Sequence, residues 1–290
     1  MTILDYLASS PTAFILTMGL FGLLVGSFLN VVVYRLPRIM ERDWHSQCRE
    51  LLELPAEPLA EPFSLVRPRS RCPQCNHAIR WYENIPILSY IFLRGQCSAC
   101  LTDISIRYPL VELTAAALAV LAAWYFGFGI TAILATLLSW ALLTLGLIDY
   151  DTRLLPDDIT LPLLWLGIAV NIFAVFTPLE SAVLGAILGY GVLWSVFQVF
   201  RLLTGKEGMG FGDFKLLAML GAWLGWQQLP LIIILASFAG AIVGISLIIF
   251  GGRERSQAIP FGPYLAIAGW IALYWGQLLQ NIYLNWALTP

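Results

Sequence analysis

Two aspartates carry the most specific chemistry in this chain. Asp149 ends an apolar run in Leu147-Ile148-Asp149-Tyr150-Asp151, and Asp213 closes Gly208-Met209-Gly210-Phe211-Gly212-Asp213 just before the next run. An ionisable group at the edge of a membrane-length apolar stretch is a functional candidate by default. Two carboxyls that can meet can divide a hydrolysis, one taking a proton from water while the other donates one. Plainer readings stand beside this one. Asp213 could simply cap a helix, and Asp151, Asp157 and Asp158 could be solvated loop residues. Gly210 and Gly212 are read as part of an active-site loop, able to take positive φ and to admit a substrate backbone. No G-x-S-x-G, H-E-x-x-H or phosphate loop competes with the aspartates.

The second constellation is Cys72-Pro-Gln-Cys75 with Cys97-Ser-Ala-Cys100. Two such pairs supply the four tetrahedral thiolates that a structural zinc site takes, at zinc-ribbon spacing. A disulfide or redox role is the competing reading, and a reducing cytoplasmic location disfavours it. His77 lies beside the first pair, but four thiolates already close such a site. Cys48 is left over as a free thiol. A closed site leaves no position for substrate, so the metal is expected to hold the loop together and not to react.

These residues must be positioned by helices in lipid. The chain has 290 residues, 59% of them hydrophobic and 12% charged, against about 25% charged in soluble domains. Near-neutral net charge and a pI of about 5.7 give no reason to expect nucleic acid. Hydropathy predicts about eight spanning helices, with cores at 13–34, 110–126, 130–148, 159–176, 182–200, 214–224, 231–250 and 264–279. The sixth is short, and is expected to be tilted, broken or re-entrant. Turn-forming residues separate several of them, as in Gly127-Phe128-Gly129 and Gly225-Trp226-Gln227-Gln228. The first segment lacks the basic start and A-x-A-like end of a cleavable signal.

The fold class is therefore an all-α polytopic membrane protein with a polar loop domain between helices one and two. The expected division is a first helix over 1–34, a four-cysteine loop domain over 35–108 and a membrane-embedded bundle over 109–290. All 16 Lys and Arg fall on alternate connections: Arg35 to Arg107, then Arg153, then Arg201, Lys206 and Lys215, then Arg253 and Arg255. Basic residues stay on the cytoplasmic side. Asp149, Asp213 and the cysteine loop are thus expected to face the cytoplasm, with both termini and Glu180 outside.

Taken together, the motifs resemble those of the prepilin peptidases of type IV pilus and type II secretion systems, in the GxGD class of intramembrane aspartic proteases. The stretch from Gly26 to Pro37 is similar to the family's N-terminal signature, and the paired C-x-x-C motifs to its zinc domain. Asp149 with Leu154-Leu155-Pro156-Asp157 resembles the first catalytic motif. Gly210-Phe211-Gly212-Asp213 resembles the second, and Pro260-Phe261-Gly262-Pro263 a segment of the last hairpin. The resemblance implies a multi-pass enzyme of the bacterial inner membrane with Asp149 and Asp213 catalytic. Its partners would be prepilin and pseudopilin precursors, besides membrane lipids. It would cut after a glycine that follows a short basic leader, then N-methylate the new terminus with S-adenosylmethionine. The zinc unit is associated with this second step. No methyl-donor site is legible, since no G-x-G-x-x-G follows a strand. Gly95, Arg107 and Glu112 resemble family positions near the unit, with a turn or interfacial ion pair as an equal reading. The alternatives are a peptidase without methyltransferase activity, a transporter relaying ions through the aspartates, and a structural subunit of a secretion machine.

Overall fold

Apolar runs in lipid must satisfy their backbone internally, and helices do so within one segment. The computed structural model describes residues 2–54, 63–206, 208–251 and 260–288; Arg253, Arg255 and Pro290, used above for topology, lie outside them. Among the described residues the regular structure is helical, apart from two isolated bridges, Arg71 with Ala78 and Gln96 with Asp103. The helices are α1 (Ile3–Ser9), α2 (Pro11–Leu51), α3 (Leu88–Phe92), α4 (Arg107–Phe126), α5 (Ile130–Thr152), α6 (Asp157–Asn171), α7 (Leu179–Thr204), α8 (Phe211–Leu224), α9 (Leu229–Gly251) and α10 (Gly262–Leu288). Each expected helix core falls within one of the eight longer helices, except that the fourth, expected over 159–176, is helical only to Asn171. Among the described residues five stretches are long and apolar enough to cross a membrane: α2, α4, α5, α7 and Trp226–Leu247. With 15 and 14 residues, α6 and α8 reach only about 22 and 21 Å, less than the hydrocarbon thickness of about 30 Å.

The chain forms two compact units, Met1–Trp140 and Ala141–Pro290. In the first, α2 and α4 pack closely because small residues line their contact. A side-chain carbon at Gly26 would lie 2.6 Å from Glu112 Cα, and one at Gly22 2.6 Å from Ala116 Cα. Asn30 adds a polar tie, its amide donating to Gly26 O (3.3 Å) and Tyr108 O (3.1 Å). The helix expected to end at residue 34 runs on to Leu51 through Pro37. Hydropathy marks only where lipid ends, whereas the helix-forming residues continue. Arg35, just past the apolar core, is buried; its Nη1 donates to Ser64 O (2.9 Å) and its guanidinium lies over the Phe63 ring.

The second unit is built around α8. Each residue from Asp213 to Trp223, Lys215 apart, is buried, and α6, α7, α9 and α10 all pack against it. Gly185 of α7 and Gly221 of α8 bring the two backbones into direct contact, and a carbon at Gly189 would stand 2.6 Å from Leu217 O. The far end of α8 is held by polar contacts. Asn171 donates to Ala222 O (2.9 Å) and Trp223 O (3.0 Å) and accepts from the N–H groups of Phe176 and Thr177. Trp223 Nε1 donates to Leu163 O (2.7 Å).

Candidate functional site

Asp149 lies in the last turn of α5, which closes where Arg153 takes φ 57° and donates its N–H to Asp149 O at 2.9 Å. Leu154, Leu155 and Pro156 then lead into α6. The Asp149 carboxyl is 5% exposed. Its Oδ2 accepts the Gly262 N–H at 2.9 Å, at the start of α10. Only glycine fits there, since a side-chain carbon would lie 2.6 Å from that oxygen.

Asp213 enters from the opposite kind of helix end. It is the third residue of α8, 7% exposed, with its own N–H donating to Gly210 O at 3.2 Å. The Asp149 carboxyl lies within electrostatic reach of Asp213. The fold of one unit thus brings together two buried acids separated by 64 positions, with few fixed partners. That is the arrangement a water-activating pair requires.

Two readings of the neighbourhood change. Gly210 is at φ −81°, ψ 149° and Gly212 is helical, so neither uses the left-handed region. Space is limiting at Gly212, where a carbon would meet Leu155 Cβ at 2.8 Å, whereas one at Gly210 would stop at an ordinary 3.8 Å from Asp213 Oδ2. Asp157, expected in a solvated loop, opens α6 and pairs through both oxygens with Lys215 Nζ at 2.8 and 2.6 Å. It thereby ties the start of α6 to the first turn of α8. Asp151 and Asp158 are exposed.

In the first unit the sulfurs of Cys72, Cys75, Cys97 and Cys100 lie within 4.8 Å of one another. Cys72 to Cys100 is 3.8 Å and Cys75 to Cys97 is 4.0 Å. A tetrahedron of thiolates around zinc at about 2.3 Å has edges of about 3.8 Å, so the donors fit that ion. The two knuckles repeat one geometry. Cys72 N donates to His77 O and Asn76 N to Cys72 O, as Cys97 N does to Thr102 O and Leu101 N to Cys97 O. Asn76 (φ 58°) and Leu101 (φ 59°) make the turns. The Thr102 hydroxyl and amide bring the Cys100 thiol down to about 6. At Cys75 the His77 amide pulls the other way, but desolvation and the neighbouring thiols push the group up to about 12. His77 is not a fifth ligand: its Nε2 faces Glu83 Oε2 and Ser98 Oγ, both at 3.4 Å. Cys48 stands apart, exposed on α2.

Two contributors escaped sequence reasoning. The Pro260-Phe261-Gly262-Pro263 segment was visible, but nothing indicated that Gly262 holds Asp149. Glu83 braces both knuckles by accepting from Arg80 N (2.8 Å) and Ser98 Oγ (2.6 Å); a lone acid in a loop gives no such signal.

Comparison with known proteins matches residues 20–126 to the bacterial peptidase A24 N-terminal domain and residues 136–245 to the type IV leader peptidase family. The chain is 57% identical to the prepilin leader peptidase/N-methyltransferase of Stutzerimonas stutzeri and 57% identical to that of Pseudomonas aeruginosa, each over 99% of both chains. It is 45% identical to the Legionella pneumophila protein of the same name, over 95% of this chain and 96% of that one. No solved structure matches.

Proposed function

The chain belongs to the type IV leader peptidase family, and from that premise we propose that it removes leader peptides from prepilins at the paired carboxyls of Asp149 and Asp213, then N-methylates the new terminus. What supports the reading is the burial of two acids, at the end of α5 and the start of α8, with Asp149 within electrostatic reach of Asp213. One carboxylate takes a proton from water as its oxygen attacks the scissile carbonyl carbon. The other acid protonates the carbonyl oxygen, and the proton then passes to the departing amide nitrogen as the C–N bond breaks. Gly262 N–H holds Asp149 in place, and the room beside Gly210 lets a peptide backbone approach Asp213, while Gly212 packs against Leu155.

The pair faces the cytoplasm of a multi-pass inner-membrane protein, a reading supported by the one-sided Lys and Arg distribution. Pseudopilins of type II secretion are substrates of the same site. The segment 35–108 serves the methylation step, and its four cysteines hold zinc as a structural ion. S-adenosylmethionine supplies the methyl group. The test is to incubate the purified protein with a prepilin and S-adenosylmethionine and weigh the product. Loss of the leader and gain of one methyl group supports the proposal; an intact precursor refutes it.

A further inference from the structure

Between the two cysteine pairs lies an apolar surface that neither the aspartates nor the thiolates use. Trp81, Tyr82, Ile85, Leu88, Ile91 and Phe92 are all exposed, Trp81 at 81% and Phe92 at 82%. They occupy a turn of 3₁₀ helix, Trp81–Asn84, and the short helix α3.

The depth of this surface follows from its anchor. The Ile87 N–H donates to Glu112 Oε2 at 2.8 Å, and Glu112 is buried in α4. With 20 residues, α4 is about 30 Å long. The hydrocarbon is about 30 Å thick, so α4 needs its whole length to cross. Glu112, five residues after Arg107, therefore sits about 7.5 Å beyond the helix start, and Ile87 is within one side chain's reach of it, toward the Arg107 end. Helices that lie in a membrane interface bury their apolar face by about 5–10 Å, the same depth.

The backbone is strained to stay there. Ile87 holds φ 60°, ψ −49°, in a γ-turn closed by the Leu88 N–H to Pro86 O at 2.5 Å. A β-branched residue avoids this region unless its surroundings impose it. Here the Ile87 N–H is engaged by the carboxylate of a membrane helix. The flanks fit the same location. Arg80 and Arg94 are exposed on either side of the segment, where their long stems can reach lipid phosphates, and Trp and Tyr are the residues enriched at that level.

We propose that residues 81–92 form an interfacial segment whose apolar side chains enter the headgroup and acyl boundary at the Arg107 end of α4. The segment docks the four-cysteine loop on the bilayer surface. The test uses the full chain in nanodiscs of phosphatidylethanolamine and phosphatidylglycerol. Photoreactive benzoylphenylalanine replaces Phe92, Ile91, Leu113 or Ala78, one at a time, with bound metal measured to report an intact loop. Leu113 is exposed on α4 and Ala78 on the first knuckle. Irradiation should give lipid adducts at 92, 91 and 113 and none at 78. Adducts at 113 with none at 91 and 92 would overturn the proposal. So would adducts at 91 and 92 that form only when a prepilin is added and that link to it, because the surface would then belong to the substrate.

Discussion

The sharpest expectations sit on single side chains. Asp149→Asn or Asp213→Asn should each lower the initial cleavage rate by roughly 10²–10⁴-fold, the usual worth of acid–base help. The double variant should be little worse than either single one, because such pairs act as a unit. Asp157→Asn breaks a half-exposed ion pair worth no more than about 1 kcal/mol, so cleavage should change little. Gly262→Ala should be nearly as damaging as Asp149→Asn, because the new carbon occupies the space of Asp149 Oδ2. Gly212→Ala should cost more than Gly210→Ala, since only the former runs into Leu155. Rates read by product mass on a prepilin check all of these. The aspartates stood out as candidates because an acid beside a long apolar run has few structural excuses, and both are buried at helix ends. Gly262 was not, because its partner lies 113 positions away and nothing local marks a glycine as a neighbour of a carboxylate. The positive φ expected of Gly210 and Gly212 is absent for a related reason: a glycine can be required for space as well as for φ, and sequence does not separate the two.

At the level of elements, the cysteine loop and the α7–α8 crossing can each be challenged separately. Cys72, Cys75, Cys97 and Cys100 replaced by Ser should each lose metal, and Cys48→Ser should keep it, as elemental analysis would read. Acid should release the ion, because bound thiolates must stay deprotonated. Glu83 reinforces the trend. Its bonds from the Arg80 amide and the Ser98 hydroxyl hold it below the usual carboxylate range. A lowered folded value contributes stability above the unfolded one and loses it as pH falls through the folded one. Transfer of the bound metal to a chelator should therefore speed up as pH falls, with the Glu83 contribution lost only below its ordinary value of 4.5, and Glu83→Gln should move the onset to higher pH. In the other unit, Gly221→Ala forces a methyl group between touching backbones, and overpacking of this kind typically costs about 1–3 kcal/mol; thermal unfolding should report it. The helix cores were legible because hydropathy measures them directly. The continuation of α2 to Leu51 was not, because it lies beyond the lipid-driven pattern. Asn171 was not either. One amide in an apolar run becomes a hub only through carbonyls 51 and 52 residues away.

For the molecule as a whole, the order of the two reactions is testable. The amine to be methylated does not exist until the peptide bond is cut. An Asp149→Asn enzyme should leave a full-length precursor unmethylated and still methylate a pilin cut beforehand. Failure on that second substrate, with the protein folded, would point to one shared site. Orientation can be read with a membrane-impermeant thiol reagent, which should reach Glu180→Cys from outside only. The overall plan was legible because charge and hydropathy are both read along the chain. The grouping into two units was not, because it depends on which helices touch. The backbone contact between Gly185 and Gly221 has a last consequence, and it concerns time. At that contact no side chain separates α7 from α8, beside it the rings of Tyr190 and Phe197 pack against Phe214, and α8 is buried from Asp213 to Trp223 apart from Lys215. Its amides should be the slowest in the protein to exchange with deuterium. Asp213 is then the stationary partner of the pair. The slow breathing that lets a peptide in must come from the α5 and α10 side, where Asp149 rests on a backbone amide. Turnover should follow the exchange rates of that junction and not those of α8.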